Sequence, residues 1–459
     1  MAQAIFTPSG TGTPADDEVE RELRRVGEEL WAAFPSRVRH PLKALDQTAM
    51  RLSSSDQELK AALFRLVDVT PATRGRDDLA RHLAALLREI DSRPAPVRAA
   101  MRVAGSRLGR AALGTSTAIG VRHMAQRFII GASPEAALPV LQALWAAGAA
   151  ASLDLLGEAT VTQDEADRYA ARCLDALERV AGDATAWPAR PVLERDSLGS
   201  LPRANVSVKV SALTALLKAE APERGRADAA GRLRPLLRRA RELGAHLHVD
   251  MESLDTLETT LELVFELLDE SEFDVGPSVG LVLQAYLRES PAHLDRVLEW
   301  AGSSDREPPL TVRLVKGAYW DHELVEARQQ GWSPPVFEVK AECDRNFEML
   351  TRRLLGARPH VRVAVASHNL RSVAHAIAYN RLLGGEDSDV ELQVLRGLGD
   401  ELQHALAARG FRVRAYCPVG DLVAGMAYLV RRLLENTSND SFLDAQASGV
   451  PLERLLAAP

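Results

Sequence analysis

Cysteine is scarce in this chain of 459 residues: Cys173, Cys343 and Cys417 are scattered and odd in number. That excludes a disulfide framework and a zinc-type spacing, and suits a reducing cytoplasm. No metal site is expected. No basic segment followed by an apolar core opens the chain, so no secretory signal is expected. The longest apolar stretch, Ala136 to Leu156, is interrupted by Pro139, Gln142 and Asp154. It reads as a buried helix running into a strand, not a membrane span. A net charge of −7 lacks the basic footprint of nucleic-acid binding. The acidic N-terminus shows no β-ribbon or basic recognition helix, which argues against a DNA-binding regulator. No Gly-x-Gly-x-x-Gly follows a first strand, which argues against an open dinucleotide-binding sheet.

What is present is ordinary in bulk, with 46% apolar and 26% charged residues. The length suits a 200–250-residue barrel plus a second region. The pattern changes near residue 130. Residues 1–16, rich in Thr, Gly, Pro and Ala, read as disordered, and 17–130 as a helical arm. Leu59, Ala62, Leu63 and Leu66 form one stripe at helical spacing; Leu79, His82, Leu83, Leu86 and Leu87 form another. Nothing in the arm looks catalytic.

From 131 to about 445, eight β-rich runs alternate with helical segments. They are Ser152–Leu156, Asn205–Val210, His246–Met251, Val279–Ala285, Leu310–Val315, Val361–Ala366, Val390–Leu395 and Arg412–Tyr416. Regular alternation implies parallel strands with right-handed crossovers, and eight of them imply a closed α/β barrel of the (β/α)8 TIM type. Residues 446–459 form a tail. The site should lie at the C-terminal ends of the strands. Lys209, Asp250 with Glu252 after it, Gln284, Arg313, Ser367-His368-Asn369, Gln393 with Leu395, and Tyr416 all fall there. Any one could fill a barrel layer. Seven runs delivering polar groups to one end imply something polar at the mouth, because burying charge without a partner costs several kcal/mol. Beyond the eighth run, Tyr428, Arg431, Arg432 and Glu435 share one face at i, i+3, i+4 and i+7. Solvated charges would explain that face. Two adjacent arginines near Lys209 would also make a carboxylate clamp.

Several blocks carry a resemblance. They are Arg313-Leu314-Val315-Lys316-Gly317-Ala318-Tyr319-Trp320-Asp321, Asn205-Val206-Ser207-Val208-Lys209-Val210-Ser211-Ala212-Leu213, Tyr416-Cys417-Pro418-Val419-Gly420 and Tyr428-Leu429-Val430-Arg431-Arg432-Leu433-Leu434-Glu435-Asn436. In this order they resemble the proline dehydrogenase family over roughly residues 45–455. The dehydrogenase part of the bifunctional proline utilization A group is most similar, and Leu63 to Val69 resembles its helical region. The resemblance implies a distorted (β/α)8 barrel holding FAD without a covalent link. It implies oxidation of L-proline to Δ1-pyrroline-5-carboxylate by hydride transfer to flavin N5, with electrons passed to a membrane quinone. Oxidising an amine this way needs no serine or cysteine nucleophile, and none is evident; Cys417 reads as packing.

By the same resemblance, Arg431, Arg432 and Lys209 hold the substrate carboxylate. Tyr319, Leu395 and Tyr416 pack on the ring, and Asp250 orients the cations. Glu158 pairs with Arg431. Gln284, Arg313, Val315, Lys316, Gly317, Ala318, Trp320, Lys340, His368, Asn369, Gln393 and Glu435 match flavin-contacting segments, with Arg313 near N5 and the N1–C2 region. Glu338 and Cys343 stand where many members carry threonines near the adenosine end, whereas Lys340 and Asp344 are retained. The group is cytoplasmic, at most peripheral at the inner membrane face. Some members continue into an aldehyde dehydrogenase that oxidises the product onward. The chain could therefore be a single-function enzyme, half of a split pair, an excised part, or a non-catalytic component of such an assembly.

Overall fold

The computed structural model describes residues 13–35, 72–89, 106–157, 160–304, 306–421 and 449–459, with isolated positions among 58–102 and at 425. Eight parallel strands close a barrel: β1 (Ala150–Leu155), β2 (Asn205–Lys209), β3 (His246–Asp250), β4 (Ser278–Gln284), β5 (Leu310–Val315), β6 (Val361–Ala366), β7 (Val390–Leu395) and β8 (Val413–Val419). All eight expected runs are strands. β5, β6 and β7 have the expected bounds and the others differ by one to three residues at an end. Each strand lies beside its sequence neighbour, and β8 closes onto β1 with Ser152 opposite Tyr416. The stretch 136–156 is a helix, Pro134–Ala146, followed by β1, as the pattern predicts.

The strands alternate as half-buried strands should, but the polar half faces inward. Val206, Val208, Leu247, Val249, Leu281, Leu283, Val312, Leu314, Val363, Val365, Leu392 and Ala415 are buried against the surrounding helices. The intervening Ser207, His248, Asp250, Gln284, Arg313, Arg362, Glu391, Gln393 and Arg414 are buried as well. Such an interior is tolerable only where polar groups find partners. At the N-terminal end most of them do, Arg362 Nη1 and Arg412 Nε being the exceptions among the described residues. Arg414 grips Glu391 through two bonds of 2.8 and 2.9 Å and donates to the Ala151 carbonyl at 2.7 Å. Arg362 and Arg412 each reach Asp196 at 3.0 Å. Asp196 comes from a short hairpin, 195–200, between β1 and β2. His246 bonds Ser278 at 2.8 Å and His248 at 3.0 Å. Burial pushes His246 down to about 3, so the pair is neutral at physiological pH.

Helix α1 (Asp16–Ala32) buries Val19, Leu23, Val26 and Leu30 on one stripe against the barrel's outer helix 370–382. Burial of such side chains stabilises by about 1.5–3 kcal/mol each. Arg371, on that outer helix, reinforces the contact by bonding both Glu20 of α1 and Glu348. Helices α2 (Arg76–Arg88) and α3 (Arg107–Phe128) pack on each other with a small core of their own, which includes Ala62, Leu66, Leu79, Leu83, Leu86 and Leu87. His82, placed in that stripe by spacing, is instead exposed, with its ring 3.7 Å from Asp78. A helical stripe is wide enough for an edge position to reach solvent. Leu59, Leu63 and residues 1–12 lie outside the described residues. Among the described residues no helix is long and apolar enough to cross a membrane.

Candidate active site

Four strand-end residues expected from the sequence form one connected cluster. Lys209 ends β2, and Asp250, opposite it in register, ends β3. The Lys209 ammonium donates to Asp250 Oδ2 at 3.1 Å, to the Tyr416 hydroxyl at 3.5 Å, and to Asp154 on β1. Tyr416 donates its hydroxyl to the same Asp250 oxygen at 2.6 Å. Arg313 of β5 reaches across the barrel, giving Nη1 to Asp250 Oδ1 at 2.8 Å and Nη2 to Ser207 at 3.4 Å. Its guanidinium lies 5.3 Å from the centre of the Tyr416 ring.

Burial alone would raise the Asp250 carboxyl. The charges of Lys209 and Arg313, with the Tyr416 hydrogen bond, outweigh it and hold the carboxyl below its usual range. Lys209 answers in the opposite sense: burial opposes its charge, but Asp154 and Asp250 raise it well above an ordinary lysine. Tyr416 is buried beside two carboxylates and stays a phenol, its pKa far above normal. The cluster thus sets the cationic Lys209 and Arg313 around the Asp250 carboxylate, beside a neutral Tyr416 hydroxyl.

A second cluster lies just beyond β5. Lys316 and Lys340 both bond Asp344, which stands one turn into the helix Lys340–Gly356. Burial opposes the Asp344 charge, yet the two ammonium groups hold its carboxyl below the usual range. Glu338 pairs with Arg328 at 3.3 Å. Cys343 is pushed up to about 11, chiefly by burial, and Cys173 and Cys417 to about 12. None is a thiolate at neutral pH, which agrees with packing roles.

The remaining expected residues stand around these clusters. Gln284 donates to the Glu252 carbonyl at 2.8 Å, and its own buried carbonyl oxygen has no partner among the described residues. Arg313 Nε is likewise buried and has no partner among the described residues. Gly317 has φ +133°, and a Cβ there would lie 2.2 Å from the Tyr286 ring. Val315 and Tyr319 pack half-buried on the core, whereas Ala318 and Trp320 are exposed and the Trp320 indole donates to the Phe337 carbonyl at 2.9 Å. His368 accepts from the Leu395 amide at 2.9 Å, which leaves the other ring nitrogen as the proton carrier of a neutral imidazole. Asn369 caps the helix Leu370–Leu382 by accepting from the Arg371 amide. Gln393 donates down the barrel to Glu391 at 2.6 Å. Glu158, Tyr428, Arg431, Arg432 and Glu435 lie outside the described residues.

Asp154 is the group sequence reasoning passed over, having read it only as an interruption of an apolar run. An acid on an otherwise apolar strand, two residues from Ser152 on the inward face, was the available signal. Lysine is another. The chain has only six, and Lys209, Lys316 and Lys340 all stand at this end of the barrel.

The double constraint at Gly317 makes a prediction. Gly317→Ala should lower stability by about 1–3 kcal/mol through overpacking against Tyr286, with a similar backbone cost of about 1–3 kcal/mol. Urea unfolding monitored by circular dichroism measures it. A midpoint equal to wild type would show that the ring and the turn yield freely.

The comparisons agree with this architecture. The family described as Proline dehydrogenase matches residues 137–445, and the Proline utilization A N-terminal domain matches 20–128. The bifunctional protein PutA of Salmonella typhimurium is 31% identical over 352 residues, 74% of this chain and 25% of that protein. The proline dehydrogenase of Deinococcus radiodurans is 30% identical over 321 residues, covering 70% of this chain and 89% of that one. The crystal structure of proline utilization A from Bdellovibrio bacteriovorus inactivated by N-propargylglycine superposes with a TM-score of 0.87 at 36% identity, over 96% of this chain and 44% of that one. The chain therefore spans a quarter to under half of those longer relatives, and nearly all of a shorter one. With a closed eight-stranded barrel, a polar cluster at its strand ends and a match over most of its length, the chain belongs to the proline dehydrogenase family.

Proposed function

We propose that the chain oxidises L-proline to Δ1-pyrroline-5-carboxylate using FAD, with a quinone as final electron acceptor. This is the first step in converting proline to glutamate. The observation that carries the reading is the cluster Lys209–Asp250–Arg313–Tyr416 at the strand ends of a barrel of this family. The donor set fits a flavin. Arg313 Nε is a buried donor and Gln284 Oε1 a buried acceptor, neither satisfied by any described residue. A flavin ring carries ring acceptors and one N–H donor, so it can meet both. Lys316, Lys340 and the start of the helix 340–356 offer positive charge for its phosphates. Gln284, Arg313, Val315, Lys316, Gly317, Ala318, Trp320, Lys340, His368, Asn369, Gln393 and Glu435 are the proposed cofactor set.

Bound FAD supplies the hydride acceptor. The protein's own task is positioning. Tyr319, Leu395 and Tyr416 press on the carbon edge of the ring. Lys209, Arg431 and Arg432 hold the carboxylate. Lys209 already has three acceptors for its three N–H groups, and its 3.5 Å contact to Tyr416 is the weakest, so that contact is the one a substrate oxygen replaces. Asp250 fixes Lys209 and Arg313 in place. Asp154 does the same for Lys209 from β1. Glu158 pairs with Arg431 over the bound substrate and excludes water, which strengthens the interactions beneath. An aldehyde dehydrogenase, fused or separate, takes the product onward. The enzyme works in the cytoplasm, peripheral to the membrane that holds the quinone.

Arg432→Met tests the clamp. A charge-assisted hydrogen bond in a partly buried site contributes about 1.5–3 kcal/mol, so KM for proline should rise roughly tenfold to a hundredfold. Flavin content should stay at the wild-type level. Unchanged proline kinetics in a fully flavinated variant would remove Arg432 from the site.

A further inference from the structure

A second concavity lies at the opposite, N-terminal end of the barrel. It is a cleft of about 830 Å³ between the 195–200 hairpin and the loops that lead into β4, β5 and β6. That volume falls in the range of small-molecule sites. Prolines 277, 308 and 359 line its walls, so much of its rim is rigid and poor in backbone donors. Among the described residues its charged lining is unbalanced, with Arg241, Arg306 and Arg362 against Glu307.

Two of these arginines are buried with donors left over. Arg306 is 8% exposed; its Nη2 is held by the Pro277 carbonyl, while Nε and Nη1 have no partner among the described residues. Arg362 is 2% exposed and spends Nε and Nη2 on Asp196, with Nη2 also donating to the Ser200 carbonyl at 3.2 Å, leaving Nη1 without a partner among the described residues. Arg362 has its counter-charge in Asp196, whereas Arg306 makes no ion pair among the described residues; a buried guanidinium without one is costly, and a bound anion removes that cost. Burial lowers Arg306 to about 10, against the pull of Asp274, the expected mark of a cation short of compensation. The chemistry at the strand C-termini uses neither residue.

We propose that this cleft is a binding site for a small oxyanion, a carboxylate or a phosphate, held by Arg306 and Arg362. The site is separate from the strand-end cluster and stands whether or not that cluster oxidises proline.

The test is calorimetric titration and thermal unfolding of the full chain with inorganic phosphate and with succinate, against sodium chloride at matched ionic strength. At least one oxyanion should bind and raise the unfolding midpoint where chloride does not. A response to phosphate alone assigns the phosphate class, and to succinate alone the carboxylate class. Arg306→Met should weaken binding at least tenfold and remove the anion-dependent shift. It should unfold no earlier than wild type without anion, because a buried unpaired charge has been replaced by an apolar chain of similar length. Arg306→Lys, which keeps the charge, should retain part of the response and serves if the methionine variant does not fold. Wild-type protein that answers to neither oxyanion beyond chloride, or an anion shift that persists in both variants, overturns the proposal.

Discussion

Asp250→Asn is expected to reduce proline turnover by about a hundredfold or more while the barrel stays folded. One carboxylate serves three donors, at 2.6 Å from Tyr416, 2.8 Å from Arg313 and 3.1 Å from Lys209. Asparagine keeps the shape but has a single acceptor oxygen, and its amide must face one of the three donors. Removing one partner of a buried pair costs about 3–5 kcal/mol. Each 1.36 kcal/mol in a barrier is a factor of about ten, so losing even the larger part of that orientation energy reaches the stated effect. The loss should fall on kcat. KM for an anionic substrate should change less, because both cations remain and one competing anion is gone. Steady-state kinetics on the flavin-replete variant decides the matter. A kcat within threefold of wild type would mean that Asp250 does not orient the reacting groups.

Glu391→Gln should cost about 3–5 kcal/mol of stability at neutral pH and leave the strand-end cluster intact. Glu391 is buried between Arg414 and Arg412 at the bottom of the barrel. Burial alone would raise its carboxyl, but the two guanidinium charges and the Gln393 hydrogen bond hold it well below the usual carboxylate range. In the unfolded chain the group takes a proton near pH 4.3; in the folded protein it does so only at much lower pH. Its contribution is therefore complete above the unfolded value and drains away as pH falls through the folded one. Wild-type stability should drop steeply below about pH 5, and the variant should show a shallower slope there from a lower start. Urea unfolding at pH 7, 5 and 4 measures both. Equal stability at pH 7 with equal acid slopes would show that Glu391 carries no such role.

The barrel was legible because its signal is a repeat: strands alternate in period two, helices lie between them, and the count reaches eight. Polar residues at strand ends were legible for the same reason, since Lys209, Asp250, Arg313 and Tyr416 fall towards one end of their runs. What period two cannot say is which half of a strand faces in. Arg362, Glu391 and Arg414 therefore gave no warning of an ionic layer through the barrel's lower half. Their partner Asp196 sits on a hairpin outside the eightfold repeat, so no strand pattern points to it. Asp154 was missed because its meaning depends on Lys209, 55 residues away, and only the β1–β2 pairing, with Asp154 opposite Ser207, brings them together. At the two positions where the family resemblance led to an expectation of hydroxyls, Glu338 pairs with Arg328 and Cys343 is half-buried, while Lys316, Lys340 and Asp344 form a cluster of their own.

The central claim is that this barrel holds a flavin and reduces it with proline. The direct test is the visible spectrum of the purified chain, before and after anaerobic addition of L-proline. The account predicts yellow protein, colour released by acid precipitation, and loss of the flavin band on adding L-proline. Correctly folded protein that takes up no FAD, or a flavin band that L-proline leaves unchanged, would contradict it.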